Sequence, residues 1–181
     1  MAEGGEGRDI LRVIAGLDNR WRRSGEAKIC DNLRHITGLS WDAVNVVLVY
    51  TPEFTGEPDI SPFALGLPES IRRFLLRGYR VTPPAYWYLP VTDDDATPVH
   101  RFNPDSISGE RVVALVPVLS CDRAGRRQPF VGETLGAFLA EIPPASLTRI
   151  GVCWSFQLSE TPLRGTPELD FIVTEREIVT V

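Results

Sequence analysis

Two side chains near the middle of the chain, Cys121 and Arg127, have the types and spacing for chemistry on an oxyanion. A thiolate is a strong nucleophile, and nearby cations or a helix N-terminus favour its formation. A guanidinium is planar, permanently charged and able to grip two oxygens at once. The residues between them, Asp122-Arg123-Ala124-Gly125-Arg126, add two more cations. Upstream, Asp93-Asp94-Asp95 offers carboxyl groups for protonating a leaving group, with Asp94 at the centre of the run. Ahead of the cysteine, Val112 to Leu119 is an apolar, valine-rich run that reads as a buried strand. Beyond the arginine, Leu135, Phe138, Leu139 and Ile142 recur at helical spacing, predicting a helix over about Pro129 to Glu141. The unit is strand, basic loop, helix.

This spacing resembles the active-site loop of cysteine-dependent phosphatases. In that family a thiolate attacks phosphorus while an arginine and backbone N–H groups at a helix start hold the phosphate oxygens. The resemblance implies Cys121 as nucleophile, Arg127 as the oxyanion grip and Asp94 as general acid. The chain departs from the family pattern at Ser120, where histidine is usual, and at Gln128, where a hydroxyl residue is usual. Pro129 reads as a first-turn residue, which starts the helix beyond Arg127.

A second constellation is Pro83-Pro84-Ala85-Tyr86, a Pro-Pro-x-Tyr sequence. It resembles the extended ligands that aromatic-grooved WW domains bind. It overlaps Tyr86-Trp87-Tyr88-Leu89, which resembles a tyrosine-based sorting signal, an overlap also carried by viral matrix proteins. Pro83, Pro84, Tyr86 and Trp87 are thus candidate binding residues. The competing structural reading is a proline-led edge strand whose aromatic side chains seek burial. A third stretch, Leu65 to Leu75, resembles the Leu-Pro-then-helix opening of a family of bacterial toxin-immunity proteins.

The elements that must position these residues follow from composition and pattern. With 181 residues, the chain is long enough for one domain to bury a core without disulfides or metals. Hydrophobic residues make up 43% and charged residues 24%, ordinary for a globular protein. Three cysteines without metal spacing fit a reducing compartment, and with two histidines the chain offers no usual zinc set. No cofactor motif is recognisable. The net charge of −5 argues against nucleic acid as a partner. One lysine stands against eighteen arginines, a bias that fits a high-GC genome. No apolar run reaches membrane-spanning length, and the acidic, glycine-rich start has no signal-peptide layout, so a cytoplasmic location is expected.

In chain order, residues 1–7 are expected to form a disordered tail, with one domain over 8–181. Ile10, Leu11, Ile14, Leu17 and Trp21 predict an amphipathic helix to about Arg23, broken at Ser24-Gly25. A second short helix runs from Glu26 to Ile36 and closes at Gly38. Val44 to Tyr50 is a strand, and Pro68 opens a helix with Ile71, Phe74 and Leu75 as its buried stripe. Arg149 to Leu158 alternates as a half-buried strand, and two strands over Leu169–Thr174 and Glu177–Val181 close the chain.

Helices early and strands late predict an α+β fold, with a mixed or mainly antiparallel sheet packed by three to four helices. The expected core comprises Val46, Leu48, Phe74, Val113, Leu115, Phe138, Ile150, Val152, Trp154, Phe156 and Phe171. With few catalytic side chains recognisable, the leading functional expectation is a non-catalytic binding, assembly or regulatory protein. It would recognise a protein partner or a second copy of itself, in an immunity, adaptor or viral-matrix type of role. The alternative is the phosphatase-like hydrolase built on Cys121, Arg127 and Asp94.

Overall fold

A computed structural model of the chain describes residues 5–50, 52, 56–77, 87–90, 100–101, 104–128 and 135–181. Helices α1 (Gly5–Ala15) and α2 (Asn19–Arg34) lead into strand β1 (Val46–Tyr50). Helix α3 (Ser61–Leu65) precedes β2 (Arg72–Arg77), β3 (Trp87–Pro90) and β4 (His100–Arg101). Strand β5 (Val112–Pro117) runs into the short strands β6 (Ser120–Asp122) and β7 (Arg127–Gln128), then α4 (Leu135–Leu139). Strands β8 (Leu147–Val152), β9 (Leu158–Ser159), β10 (Phe171–Val173) and β11 (Ile178–Thr180) complete the chain.

Eight strands form one sheet in the order β11-β10-β8-β5-β1-β2-β3-β4, and β7-β6-β9 form a small second sheet. Strand β1 pairs in parallel with β2 and β5, β5 with β8, and β8 with β10. Antiparallel pairing in the large sheet is confined to its margins, β2·β3, β3·β4 and β10·β11. The sheet is therefore mixed and mostly parallel, which corrects the antiparallel part of the expectation. Every residue of β1 and β5 is buried, the mark of central parallel strands covered on both faces. What concealed the parallel order is the connections. Parallel neighbours need a crossover, usually a helix. Among the described residues the β1–β2 crossover holds the five-residue α3, and the β5–β8 crossover holds a β-hairpin and α4. The first shows no helical period in the sequence, and in the second a hairpin stands between β5 and the helical spacing of Leu135 to Ile142.

Two other elements differ for local reasons. Ile71, Phe74 and Leu75 have helical spacing, yet the segment is strand β2. The ladder starts where Arg72 N donates to Asn45 O at 2.9 Å, and the open edge of β1 captures the rest. The predicted N-terminal helix is two helices. Asp18 accepts from the backbone N–H groups of Arg20 and Trp21 at 2.9 and 3.1 Å and starts α2 there. Ser24-Gly25 then lies inside α2 rather than at a break. Gly5 to Gly7 form the first turn of α1, while residues 1–4 of the expected tail lie outside the described residues. Among the described residues no helix is long and apolar enough to cross a membrane.

Gly25 is kept inside a helix, where glycine ordinarily costs about 1 kcal/mol, because of Trp154. A Cβ on Gly25 would lie 2.5 Å from Cζ3 of that indole. Trp154 is fully buried, its Nε1 donates to Gly56 O at 2.7 Å, and the ring of Trp21 covers it at 5.0 Å between centroids. Gly56 has φ +93°, and a side chain there would collide with Ile14 of α1. One indole thus fastens α2 and the segment after β1 to the exit of β8. Most of the expected core is buried, but Phe74 and Phe171 are partly buried and Phe156 is 36% exposed. Phe156 leaves the strand alternation because β8 ends at Val152 and a 3₁₀ turn follows over Ser155–Gln157.

Gly25→Val should overpack this contact and lower stability by about 1–3 kcal/mol. Thermal and urea unfolding followed by circular dichroism would show it. Ser24→Ala, one residue away on the exposed side of α2, should leave the midpoint nearly unchanged.

Candidate functional site

In an open parallel sheet, ligands sit beyond the carboxyl ends of the strands, where successive connections leave in opposite directions. That point here lies between β1 and β5. The chain leaves β1 toward β2 on one side and leaves β5 toward β8 on the other. The segments beyond those strand ends carry an unusual density of buried polar groups.

Strand β1 ends at Tyr50, whose buried hydroxyl donates to Pro58 O at 2.9 Å. Burial, then the nearby Glu57 carboxylate, push the phenol well above its ordinary pKa, so it stays protonated as a donor. Glu57 itself is only 4% exposed, in the segment Gly56–Asp59 that Trp154 and Tyr50 hold from two sides. A carboxylate is rarely so buried unless it is paired. Glu26 reaches the same segment from α2, accepting from Asp59 N at 3.2 Å.

The exits of β5 and β8 are tied together by Gln157. Its Nε2 donates to Val118 O and Leu119 O at 2.8 and 3.0 Å, and its Oε1 accepts from Trp154 N at 2.8 Å. Both ends of that buried amide are satisfied, so the corner is fixed. Glu175, beyond β10, accepts from Ser155 N at 2.8 Å and from Ser155 Oγ at 2.5 Å. The result is a rigid polar rim beside an aromatic pair, Trp21 and Trp154, with Trp21 39% exposed. Such a rim can orient a flat, polar-edged ligand without rearranging.

The phosphatase-type loop is not formed. Cys121 and Arg127 face each other as backbone partners across the β6–β7 hairpin. Cys121 is fully buried, its Sγ 3.7 Å from Cys153 Sγ. The loop's N–H groups serve an internal anion instead. Asp122 accepts from Ala124 N, Arg126 N and Leu163 N at 3.0, 3.1 and 2.7 Å, and from Arg126 Nε at 2.8 Å. Burial alone would raise the Asp122 carboxyl, but these four donors prevail and hold it below its ordinary value. The loop arginines are likewise occupied: Arg123 makes two bonds to Glu177 at 2.8 and 3.0 Å, and Arg127 Nε donates to Glu168 at 2.8 Å. Asp93, Asp94 and Asp95, and Pro83, Pro84 and Tyr86, lie outside the described residues. The backbone of Trp87 sits in β3 opposite Arg77 and Arg101.

No family model matches the chain, and no curated protein sequence matches it. Solved structures do. A 5,10-methenyltetrahydrofolate synthetase from Mycoplasma pneumoniae superposes with a TM-score of 0.70 at 16% identity, covering 97% of this chain and 99% of that one. The corresponding synthetase from Aquifex aeolicus gives 0.72 at 20% identity, covering 99% and 93%. The chain shares the fold of these synthetases. The likeness runs over nearly the whole of each chain, so it takes in the switch point, the hairpin and the C-terminal strands together.

This corrects the functional reading drawn from sequence. The non-catalytic binding, assembly or regulatory role loses its footing, because the two solved structures named above that share its fold are synthetases, which are enzymes. The phosphatase-like alternative falls with them, and independently through the burial of Cys121 and the hairpin that separates it from any anion cradle. Sequence reasoning missed Glu57 and Trp154. Gly56-Glu57-Pro58-Asp59 read as a turn-rich loop, and Trp154 as one more strand residue. The available signal was slight, an acidic side chain seven residues beyond the end of a wholly buried strand.

Two outcomes follow. Burial pushes the Cys30 thiol up, and contact with Cys121 together with burial pushes Cys153 well up. None of the three thiols should therefore react with an aromatic disulfide reagent in the native protein at pH 8, and all three should react after guanidinium unfolding. Rapid native labelling at Cys121 would contradict the buried placement. Asp122→Asn should cost about 1–3 kcal/mol near neutral pH. A depressed folded pKa stabilises above the unfolded value, about 3.8, and that stabilisation is lost as pH falls through the folded value. The gap between wild type and variant, read from urea midpoints, should therefore narrow in that acid range.

Proposed function

We propose that the protein is an enzyme that acts on a reduced folate, binding its pterin ring at the carboxyl edge of the sheet between β1 and β5. The observation that carries this reading is Glu57: a carboxylate 4% exposed at the switch point of a fold shared, end to end, with two 5,10-methenyltetrahydrofolate synthetases. A pterin presents an amino group and a ring N–H side by side, and an ionised carboxylate, which only accepts, matches that pair. Holding such a charged acceptor in a dry site makes each of its hydrogen bonds stronger than in water.

The neighbouring groups fit the same ligand. The Trp21 face is open to a flat heteroaromatic ring, and aromatic stacking favours offset or tilted contact at such distances. Tyr50, Gln157 and Glu175 hold the backbone around the site by bonds that need no adjustment on binding. The reaction class follows from the bond such synthetases make. A 5,10-methenyl bridge joins two nitrogens of the folate through one carbon at the oxidation level of formate. Closing an N-formyl group onto the second nitrogen forms the new C–N bond; the formyl oxygen leaves as water, taking the proton of that nitrogen and one further proton. A rigid site that excludes water favours that closure over hydrolysis.

Titration with 5,10-methenyltetrahydrofolate, followed by quenching of tryptophan emission, tests the reading. The wild type should show a saturable quench. Glu57→Gln keeps the shape but loses the charge, and should weaken binding roughly tenfold or more. A thermal melt of the same variant separates lost binding from lost fold. The absence of saturable quenching in the wild type, or equal affinity in a folded Glu57→Gln protein, would reject this function.

A further inference from the structure

Two free thiols meet in the interior beside the proposed site. The sulfurs of Cys121 and Cys153 lie 3.7 Å apart, and both side chains are fully buried. They come from different parts of the fold. Cys121 is the middle residue of β6, paired with Arg127 on one side and with Leu158 on the other. Cys153 follows the end of β8, and its N–H donates to Val173 O at 3.2 Å. Both backbones are therefore held, and turning the side chains is what brings the sulfurs closer. A disulfide needs about 2.05 Å between sulfurs, so each has roughly 0.8 Å to travel.

The pair stands at a junction. Cys153 immediately precedes Trp154, whose indole N–H fixes Gly56 O beside Glu57. Ser120, next to Cys121, donates through its hydroxyl to Gln157 O at 3.1 Å, in the turn that follows Trp154. A covalent link between β6 and the exit of β8 would therefore pull on the residue that seats the indole. Contact with Cys121, then burial, pushes the Cys153 thiol well above its ordinary pKa, so Cys153 keeps its proton at neutral pH. Cys30, the third thiol, is buried in α2.

We propose that Cys121 and Cys153 are a redox pair that a small hydroperoxide closes into a disulfide, re-seating Trp154 and the segment Gly56–Asp59 that it holds. In the first step the Cys121 sulfur takes one oxygen of the peroxide. The O–O bond breaks, an S–O bond forms, sulfur loses two electrons, and the other oxygen leaves as water. In the second step Cys153 attacks that sulfenic sulfur. The S–S bond forms, the S–O bond breaks, and the Cys153 proton leaves with the hydroxyl as a second water. A resolving thiol already in contact makes the second step effectively unimolecular, which favours it over further oxidation to the sulfinic acid. Hydrogen peroxide is little larger than water and enters through local openings that exclude an aromatic disulfide reagent. This inference stands apart from the folate reading, because its readouts need no folate.

The test is to treat the reduced full chain with millimolar hydrogen peroxide, remove the peroxide, and record intact mass and a peptide map. The mass should fall by two hydrogens, and the map should join the Cys121 and Cys153 peptides. Thiols titrated after guanidinium unfolding should drop from three to one, and dithiothreitol should restore all of them. Cys30→Ala should close as the wild type does. Cys153→Ala removes the resolving thiol, so that chain should gain oxygen at Cys121 instead of losing hydrogen. The wild-type map decides the matter even if that variant folds poorly. In the amide spectrum of the isotope-labelled chain, the Trp154 indole N–H and the Gly56 to Asp59 amides that give signals should shift on oxidation and return with dithiothreitol. Three thiols still titrating, a bridge through Cys30, or oxygen added at Cys121 or Cys153 with no bridge would overturn the proposal. So would a bridge that leaves the Trp154 indole N–H unmoved.

Discussion

The indole of Trp154 is the contact on which the rest of the arrangement depends. It sits where β8 leaves the sheet, fully buried, and it touches two separate parts of the chain at three points. Its N–H fixes the carbonyl of Gly56, its edge occupies the notch at Gly25, and its face meets Trp21. Truncating a buried tryptophan typically costs about 3–5 kcal/mol, a large fraction of a domain's stability. Here the loss would also release the segment that carries Glu57. Core packing and site geometry are thus set by the same side chain. The two glycines are the complement of that constraint: both stand where any Cβ would push the indole or Ile14 away.

Polar groups extend the constraint around the edge of the sheet. Gln157 joins the exits of β5 and β8, Glu175 caps the turn after Trp154, and Asn32 of α2 donates to Thr174 O at 2.8 Å. Each is a long-range bond that spans two elements, and buried groups satisfied in this way favour one arrangement over its neighbours. The basic hairpin is organised by the opposite sign. Asp122 collects four donors and Glu177 and Glu168 take the remaining arginines, so a loop that is cationic in sequence is an internally neutralised corner in space.

Much of the sheet was legible in the sequence, because a wholly buried strand leaves an unbroken apolar run. Val44–Tyr50, Val112–Leu119 and the closing pair of strands were found within a residue or two. Parallel order was not legible: the β1–β2 crossover shows no helical period, and in the β5–β8 crossover a hairpin precedes the helix that the spacing did show. The helix expected after Pro68 shows the limit of pattern alone: the spacing of Ile71, Phe74 and Leu75 fits either element, and the free edge of β1 decided it. The site was hidden for a related reason. Cys121 and Arg127 are close in sequence and match a known chemistry by spacing, but a hairpin turns them into opposed strand residues. Glu57 and Trp154 lie 97 residues apart and meet only through the fold, by way of Gly56. No local motif could have joined them.

The most direct test of this account is where a reduced folate touches the protein. Amide chemical-shift mapping of the isotope-labelled chain with 5,10-methenyltetrahydrofolate would report it. The shifts should concentrate on Gly56 to Asp59, Trp154, Ser155 and the Trp21 turn of α2, with the Trp154 indole N–H among the most affected. Shifts confined to another face of the sheet, or none at saturating ligand, would contradict it.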